Sequence, residues 1–308
     1  MQLDVPSNSI VAGNPVVVKQ RANPTQGYVN YASFREKRGH ELKMMSRWGI
    51  GPSILMYHSI AEDPEDPYAV PANKFQDQVS WLIEHGFEPL PLAAMVSLLK
   101  SGDYRSLTRK VAFTFDDGYK DFVTAALPVL LRHDATATVF IVAGVLGEKA
   151  SWNENGKHVQ LMAEDEIRHI KAQGVALGSH TMTHANLTTL DREELYRQLT
   201  ESRSRLGDLG ESFYTFSYPW GQWSSPAAEA VKAAGYECAL AVGELTRCTV
   251  ANIYFLPRIT MTRAMDLKRF QSLLTQTRVE KEIRRGYRML RETRVGASTI
   301  NFCKSKLR

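Results

Sequence analysis

Between Ser53 and Thr275 short apolar runs alternate with segments of helical period, and this alternation constrains the fold more than any other feature of the chain. Ser53-Ile-Leu-Met-Tyr-His58 reads as a buried strand, and so do Lys110–Phe115, Thr136–Ala143, Val175–Ser179, Phe213–Ser217 and Glu237–Val242. After a loop crowded with Pro and Asp at 63–71, Phe75, Val79, Leu82 and Ile83 fall at helical spacing, and Gly86 closes that helix. Further helices are predicted at Tyr119–His133, Glu164–Gln173, Asp191–Leu209, Ser225–Ala234 and Ala264–Thr275. Strands and helices in this order make βα units around a parallel sheet. About seven units in one unbroken pattern favour a (β/α) barrel over two separate domains. The C-terminal strand ends of such a barrel are where its chemistry is expected.

The 308 residues divide by charge into three regions. Residues 1–50 carry 7 Lys and Arg against 3 acids, show no sustained period, and read as an irregular arm. Residues 51–262 are acidic, with 18 against 26, and 263–308 are basic, with 13 against 4. The organisation expected is an arm at 1–50, one catalytic-sized domain at 51–275, and a basic helical extension at 276–308. Basicity confined to the ends argues against a nucleic-acid partner, because the strand-helix core has the opposite sign. In the extension, Val279, Ile283, Tyr287 and Leu290 make an apolar stripe amid Arg and Lys. That stripe suits a helix packed on the barrel or a peripheral membrane contact. No apolar run is long enough to span a bilayer, and Ile10 to Val18 is broken by Asn14 and Pro15 where a leader would need continuity. Cys238, Cys248 and Cys303 form neither an even set nor a CxxC pair. A cytoplasmic location is the expectation.

Three strand ends carry unusual groups. Val111-Ala-Phe-Thr-Phe-Asp116-Asp117-Gly118 runs an apolar strand into two adjacent carboxylates. Like charges this close need a cation or hydrogen bonds, unless one of them merely caps the helix predicted from Tyr119. Gly178-Ser-His180-Thr-Met-Thr-His184 follows another strand, and histidines at i and i+4 can meet on one metal if the segment turns helically. This is not the HExxH arrangement, since Thr181 occupies the glutamate position. Phe213-Tyr-Thr-Phe-Ser217-Tyr218-Pro219-Trp220-Gly221-Gln222-Trp223 runs a strand into a tight turn. There a backbone N–H can be exposed, and Tyr218, Trp220 and Trp223 are either a platform for sugar rings or packing at the barrel rim.

Taken in order and spacing, Thr114-Phe-Asp-Asp-Gly118, Ser179-His-Thr-Met-Thr-His184 and Ser217-Tyr-Pro-Trp-Gly221 resemble the NodB-homology polysaccharide deacetylases, carbohydrate esterase family 4. Ile54-Leu-Met-Tyr-His58 and the Phe75…Trp81-Leu82…Gly86-Phe87 helix resemble the poly-N-acetylglucosamine de-N-acetylase branch. The resemblance covers about residues 52–275. It implies a distorted (β/α)7 barrel with Asp116 as general base. It further implies Asp117, His180 and His184 as ligands of a divalent metal, usually zinc, and the Trp220 N–H as an oxyanion donor. The implied substrate is an acetylated oligo- or polysaccharide. The chemistry agrees, since amide hydrolysis near neutral pH needs an activated water, a polarised carbonyl and a proton for the amine.

Two departures stand out. Many members carry an Arg before the Pro-aromatic turn, where this chain has Ser217. Many carry a Leu-x-His motif late in the chain, where this one has Leu256-Pro-Arg258-Ile-Thr-Met261. In the poly-N-acetylglucosamine branch a first-strand histidine supplies the acid, and His58 fits that role. The rival expectations are an inactive carbohydrate-binding descendant, a different metal-dependent amidase on the same architecture, and a membrane-surface scaffold using the basic extension.

Overall fold

A computed structural model describes residues 10–12, 17–19, 51–152, 159–243 and 248–275. The apolar stripe of the basic extension, His158 and Cys303 lie outside the described residues. Within the stretch expected to be an irregular arm, Ile10–Ala12 and Val17–Lys19 pair as a short antiparallel ladder.

The barrel strands are β1 (Ser53–Tyr57), β2 (Lys110–Phe115), β3 (Ala137–Ile141), β4 (Ala176–Ser179), β5 (Thr215–Ser217), β6 (Cys238–Val242) and β7 (Leu256–Thr260). All seven run parallel, and β7 pairs with β1 at Ile259 and Leu55, so the sheet closes on itself. β1 pairs with β2 along its whole length, from Ser53 opposite Val111 to Tyr57 opposite Phe115. The seam between β4 and β5 is the shortest, held in register at Ser179 and Phe216. The strand β7 was not among the predicted strands. Its Pro257 and Arg258 mask an inward–outward alternation that places Leu256 in the barrel interior and Ile259 against the outer helices.

The helices are α1 (Ala72–Glu84), α2 (Leu92–Ser101), α3 (Leu127–Arg132), α4 (Glu164–Ala172), α5 (Arg192–Asp208), α6 (Ser225–Ala233) and α7 (Leu267–Thr275). The helix expected across Tyr119–His133 instead begins as a π-helical turn at Phe122–Ala126 and becomes α3 with Pro128 in its first turn. α2 was not predicted, because its apolar residues go most of the way round. The structure gives the reason: Leu92, Met95, Val96 and Leu99 pack against Ile54, Ala112, Phe140 and Leu240, so α2 plugs the barrel instead of lying on it. A two-residue strand, Glu88–Pro89, leads into it along the foot of β2.

Period 2 then sorts every strand. Leu55, Tyr57, Val111, Phe113, Phe115, Val139 and Phe216 point outward into the layer shared with the surrounding helices. Their neighbours Thr114, Asp116, His180, Ser217 and Arg258 meet on the inner side, above the plug. The barrel's polar centre is thus at the strands' C-terminal ends. Among the described residues no helix is long and apolar enough to cross a membrane.

Candidate active site

Asp116 and Asp117 follow β2 and meet different partners, Asp116 the Arg258 guanidinium and Asp117 the two histidine rings. Asp117 and Gly118 both have positive φ, 71° and 76°, a sharp turn at the strand's end. A Cβ on Gly118 would also come within 3.2 Å of the Ile141 side chain. Neither aspartate caps a helix; the residue at the start of the following π turn is Asp121.

Asp116 is buried, and burial alone would favour its neutral form. The Arg258 guanidinium overrides that, so the carboxyl sits below the ordinary range. Arg258, 1 % exposed, donates from Nη1 to Oδ1 at 2.7 Å and from Nη2 to Oδ2 at 2.6 Å. Ser217 Oγ donates to Oδ2 at 3.1 Å and accepts from Arg258 Nη2 at 2.8 Å. Thr114 Oγ1 accepts from Arg258 Nη1 at 3.3 Å while donating to the Leu55 carbonyl. The stretch that read as a lost histidine motif therefore supplies the cation that Asp116 needs.

Asp117 Oδ1 lies 3.4 Å from His180 Nε2 and 3.3 Å from His184 Nε2, and all three groups are buried. Burial opposes ionisation of Asp117, but His184 leads the interactions that hold its carboxyl far below the usual range. His180 Nδ1 donates to the Ser217 carbonyl at 2.9 Å, so its Nε2 carries the lone pair and faces Asp117. Burial pushes the His180 imidazole down to about 4, which keeps it neutral near pH 7. One ligand atom from each residue falls within a 4.8 Å cluster, and Asp117 Oδ1 has no hydrogen-bond partner. Two buried imidazoles and a buried carboxylate with an unsatisfied oxygen fit a divalent cation.

The His180–His184 segment is not helical, as a shared face at i and i+4 had suggested. It is a loop in which Thr181 and His184 both take positive φ, 70° and 59°. Two contacts hold it there. The Ala143 and Gly144 N–H groups donate to the carbonyls of Thr181 and Met182, and a Cβ on Gly144 would stand 2.5 Å from the Met182 carbonyl. From α5, Gln198 Oε1 accepts from the Met182 and Thr183 N–H groups, and its Nε2 donates to Thr183 Oγ1 and Glu194. All four hydrogen-bonding positions of that buried amide are used. Gln198 was not singled out from the sequence; within a charged helix it reads as one more polar residue.

His58 follows β1, half-buried, with Nδ1 lacking a partner and its ring 4.8 Å from that of Tyr68. The chain beyond it is pinned by Asp121, whose carboxylate accepts from Ser59 Oγ at 2.5 Å and the Ile60 N–H at 3.2 Å. The three aromatic residues of the β5 turn separate. Tyr218 is fully buried and donates its hydroxyl to the Tyr254 carbonyl, so it has no face for a ligand and the platform reading is corrected there. Trp223 is half-buried and stacked on Phe255 at 4.2 Å. Trp220 is 45 % exposed, has positive φ, and turns its ring edge-on to His184 at 4.8 Å. Trp152, unnoticed in the sequence, also stacks on His184, at 4.5 Å.

Comparison with known proteins places these motifs. Residues 104–239 match the family model for polysaccharide deacetylase. The chain is 26% identical over 215 residues to the polysaccharide-deacetylase-like protein YxkH of Bacillus subtilis (strain 168), spanning 69% of this chain and 72% of that one. It is 25% identical over 205 residues to the poly-beta-1,6-N-acetyl-D-glucosamine N-deacetylase of Staphylococcus aureus (strain MRSA252), spanning 63% and 68%. The barrel superposes on the Streptococcus pyogenes deacetylase PplD, solved with acetate, with a TM-score of 0.62 and 22% identity over 73% of this chain and 99% of that one.

Proposed function

We propose that this chain, of which residues 104–239 match the family model for polysaccharide deacetylase, is a metal-dependent hydrolase that removes acetyl groups from N-acetylated sugars of a poly-N-acetylglucosamine-like or chitooligosaccharide chain. The observation that carries the reading is the division of labour between adjacent carboxylates. Asp117 belongs to a three-residue ligand cluster, and Asp116 is held off it by Arg258.

Asp117, His180 and His184 would hold the cation, and their mixed nitrogen and oxygen set suits zinc. When bound, the ion would polarise the acetyl carbonyl and acidify water beside it. Asp116, ionised and fixed in orientation, accepts a proton from the attacking water. Arg258 and Ser217 keep its carboxylate aimed while balancing its charge. His58, which follows β1 beside the end of β2 that carries Asp116, donates a proton to the departing amine nitrogen. The Trp220 N–H, at the left-handed turn after β5, supports the developing oxyanion. The kinship to a poly-beta-1,6-N-acetyl-D-glucosamine N-deacetylase supports an N-acetylglucosamine polymer over other acetylated glycans.

The test is acetate release from acetylated oligosaccharides of different linkage, with and without chelator, alongside elemental analysis. The expected result is about one divalent ion per chain and chelator-sensitive release from N-acetylglucosamine oligomers. Binding of the oligomers without release, at full metal occupancy, would instead make the chain a carbohydrate-binding protein on the same fold.

A further inference from the structure

Asp121 does not serve the helical turn that it begins. An aspartate at the start of such a turn ordinarily accepts from the first free N–H groups, and Asp121 makes no bond of that kind to the π turn Phe122–Ala126. Its carboxylate reaches across to the chain that leaves β1, where Oδ2 accepts from Ser59 Oγ at 2.5 Å and Oδ1 from the Ile60 N–H at 3.2 Å. Burial pushes the Asp121 carboxyl above its ordinary range, against the pull of those two hydrogen bonds. A carboxyl raised in the folded state costs stability once pH exceeds the unfolded-state value of about 3.9, and the cost is complete above the folded-state value. Near neutral pH this aspartate therefore weakens the fold, and its presence asks for a reason other than stability.

His58 lies between two attachments to one stretch of chain. Before it, the Tyr57 carbonyl accepts from the Asp116 N–H at 2.9 Å; after it, Ser59 and Ile60 donate to Asp121. Residues 116–121 thus carry the candidate base, a candidate metal ligand and a grip on the strand end that bears the candidate acid. That stretch is itself fixed. The Gly118 carbonyl accepts from the Met162 N–H and the Lys120 N–H donates to the Gln160 carbonyl, both at 2.9 Å, while the Phe122 ring meets Phe115 edge-on at 4.8 Å. A carboxylate mounted on so rigid a base holds whatever it binds in one place.

From this geometry we propose that Asp121 is a positioning residue for His58. By tying the chain after His58 to the segment that bears Asp116 and Asp117, it sets the distance between the group that gives a proton to the amine and the group that takes one from water. The inference rests on the proposed function and adds to it a residue that acts without meeting substrate.

A double-mutant cycle tests it, with wild type, Asp121→Ala, His58→Ala and the double variant assayed with zinc on an N-acetylglucosamine oligomer and on an aryl acetate. Asp121→Ala is expected to keep its metal and to lose roughly 10- to 100-fold in kcat on the amide, the scale of a misplaced reacting group, with KM little changed. The loss on the aryl acetate should be much smaller, because that leaving group needs no proton. In the double variant the two losses should not add, since a histidine that is absent cannot be misplaced. Asp121→Asn can still accept from the Ile60 N–H and bond the Ser59 hydroxyl, so it should restore most of the rate and be at least as stable as wild type at pH 7. Ser59→Ala removes one of the two bonds from the other side and replaces Asp121→Ala in the cycle if that variant does not fold. Additive losses, or equal losses on the two substrates, would overturn the positioning role. Amide hydrogen exchange reads the tether without turnover: the Ile60 N–H should exchange faster in Asp121→Ala than in wild type or Asp121→Asn, and unchanged exchange would also overturn it. Failure of the wild-type protein to release acetate would count against the deacetylase reading, while the exchange comparison would still decide whether Asp121 holds the strand end.

Discussion

Arg258 meets both carboxylate oxygens of Asp116, at 2.7 and 2.6 Å, from a strand 142 residues further along the chain. The planar fork fixes the carboxylate plane as well as its charge, which a point cation would not do. Ser217 closes the triangle by touching both partners. The commoner pattern of the family that the chain resembles has an arginine at the Ser217 position. Here the guanidinium that meets Asp116 enters from β7, at another inward-facing position.

Replacing Arg258 with Leu should leave Asp116 buried and unpaired, costing about 3–5 kcal/mol of stability, measurable by denaturant unfolding. Arg258→Lys should fold better but lose turnover, because one ammonium cannot hold two oxygens. Ser217→Arg added to Arg258→Ala should recover part of the lost turnover. No recovery, with a folded double variant, would mean that the two positions are not interchangeable.

Asp116→Asn should keep its metal and lose turnover by about 10²-fold or more, the usual scale for a positioned base. Asp117→Asn and His184→Ala should lose most of the metal by elemental analysis. If Asp116→Asn emptied the site and Asp117→Asn did not, the two roles would be reversed.

His58→Ala should bind metal yet lose far more activity on amide substrates than on aryl acetates, whose leaving group needs no proton. Equal losses on the two substrate types, in initial-rate measurements, would remove His58 as the acid.

Gln198→Leu should weaken metal affinity about 10- to 100-fold, the range seen when a group that orients a ligand is removed. The cobalt-loaded protein gives a second readout, because a displaced His184 changes the ligand-field spectrum even where activity is lost for other reasons. An unchanged spectrum and affinity would show that Gly144 and Ala143 hold the loop unaided.

Glu211 offers a pH test far from the chemistry. It is partly buried, which raises its pKa, but the N–H groups of Leu177, Ser212 and Phe213 and the Lys171 ammonium bring it below the ordinary value. A carboxyl with a depressed folded-state pKa stabilises above the unfolded-state value of about 4.3, and the contribution fades as pH falls through the folded-state value. Glu211→Gln should therefore be less stable than wild type at pH 7, with the difference shrinking in acid. A gap that stays constant from pH 7 to 3 would rule this out.

What the sequence makes legible and what it hides follow from chain distance. Asp116, Asp117, His180 and His184 sit at strand ends, where ionisable residues break an apolar pattern, so they are conspicuous. Arg258 belongs to the same centre, but it sits between Pro257 and Ile259 in a short strand, and its partner is remote. Gln198 acts through a loop that precedes its own helix by several residues and lies in a run of charges, so period and polarity mark it as surface. The ring of Tyr218 is indistinguishable in sequence from that of Trp220 two residues later. Only the turn between them sends one into the core and the other into water.

Of the six non-glycine residues with positive φ among the described residues, Asp117, Thr181, His184 and Trp220 lie at the site. Each such conformation costs about 1–2 kcal/mol for an L-residue, borne by the folded state whether or not substrate is present. The consequence is a conflict of interest between durability and catalysis. A laboratory selection for heat resistance alone would be expected to accept glycine or asparagine at Thr181, relaxing the loop and loosening His184 in the same step. Thermostable descendants obtained that way should be the ones that have lost their grip on the metal, and any programme to harden this protein should leave those four backbones alone.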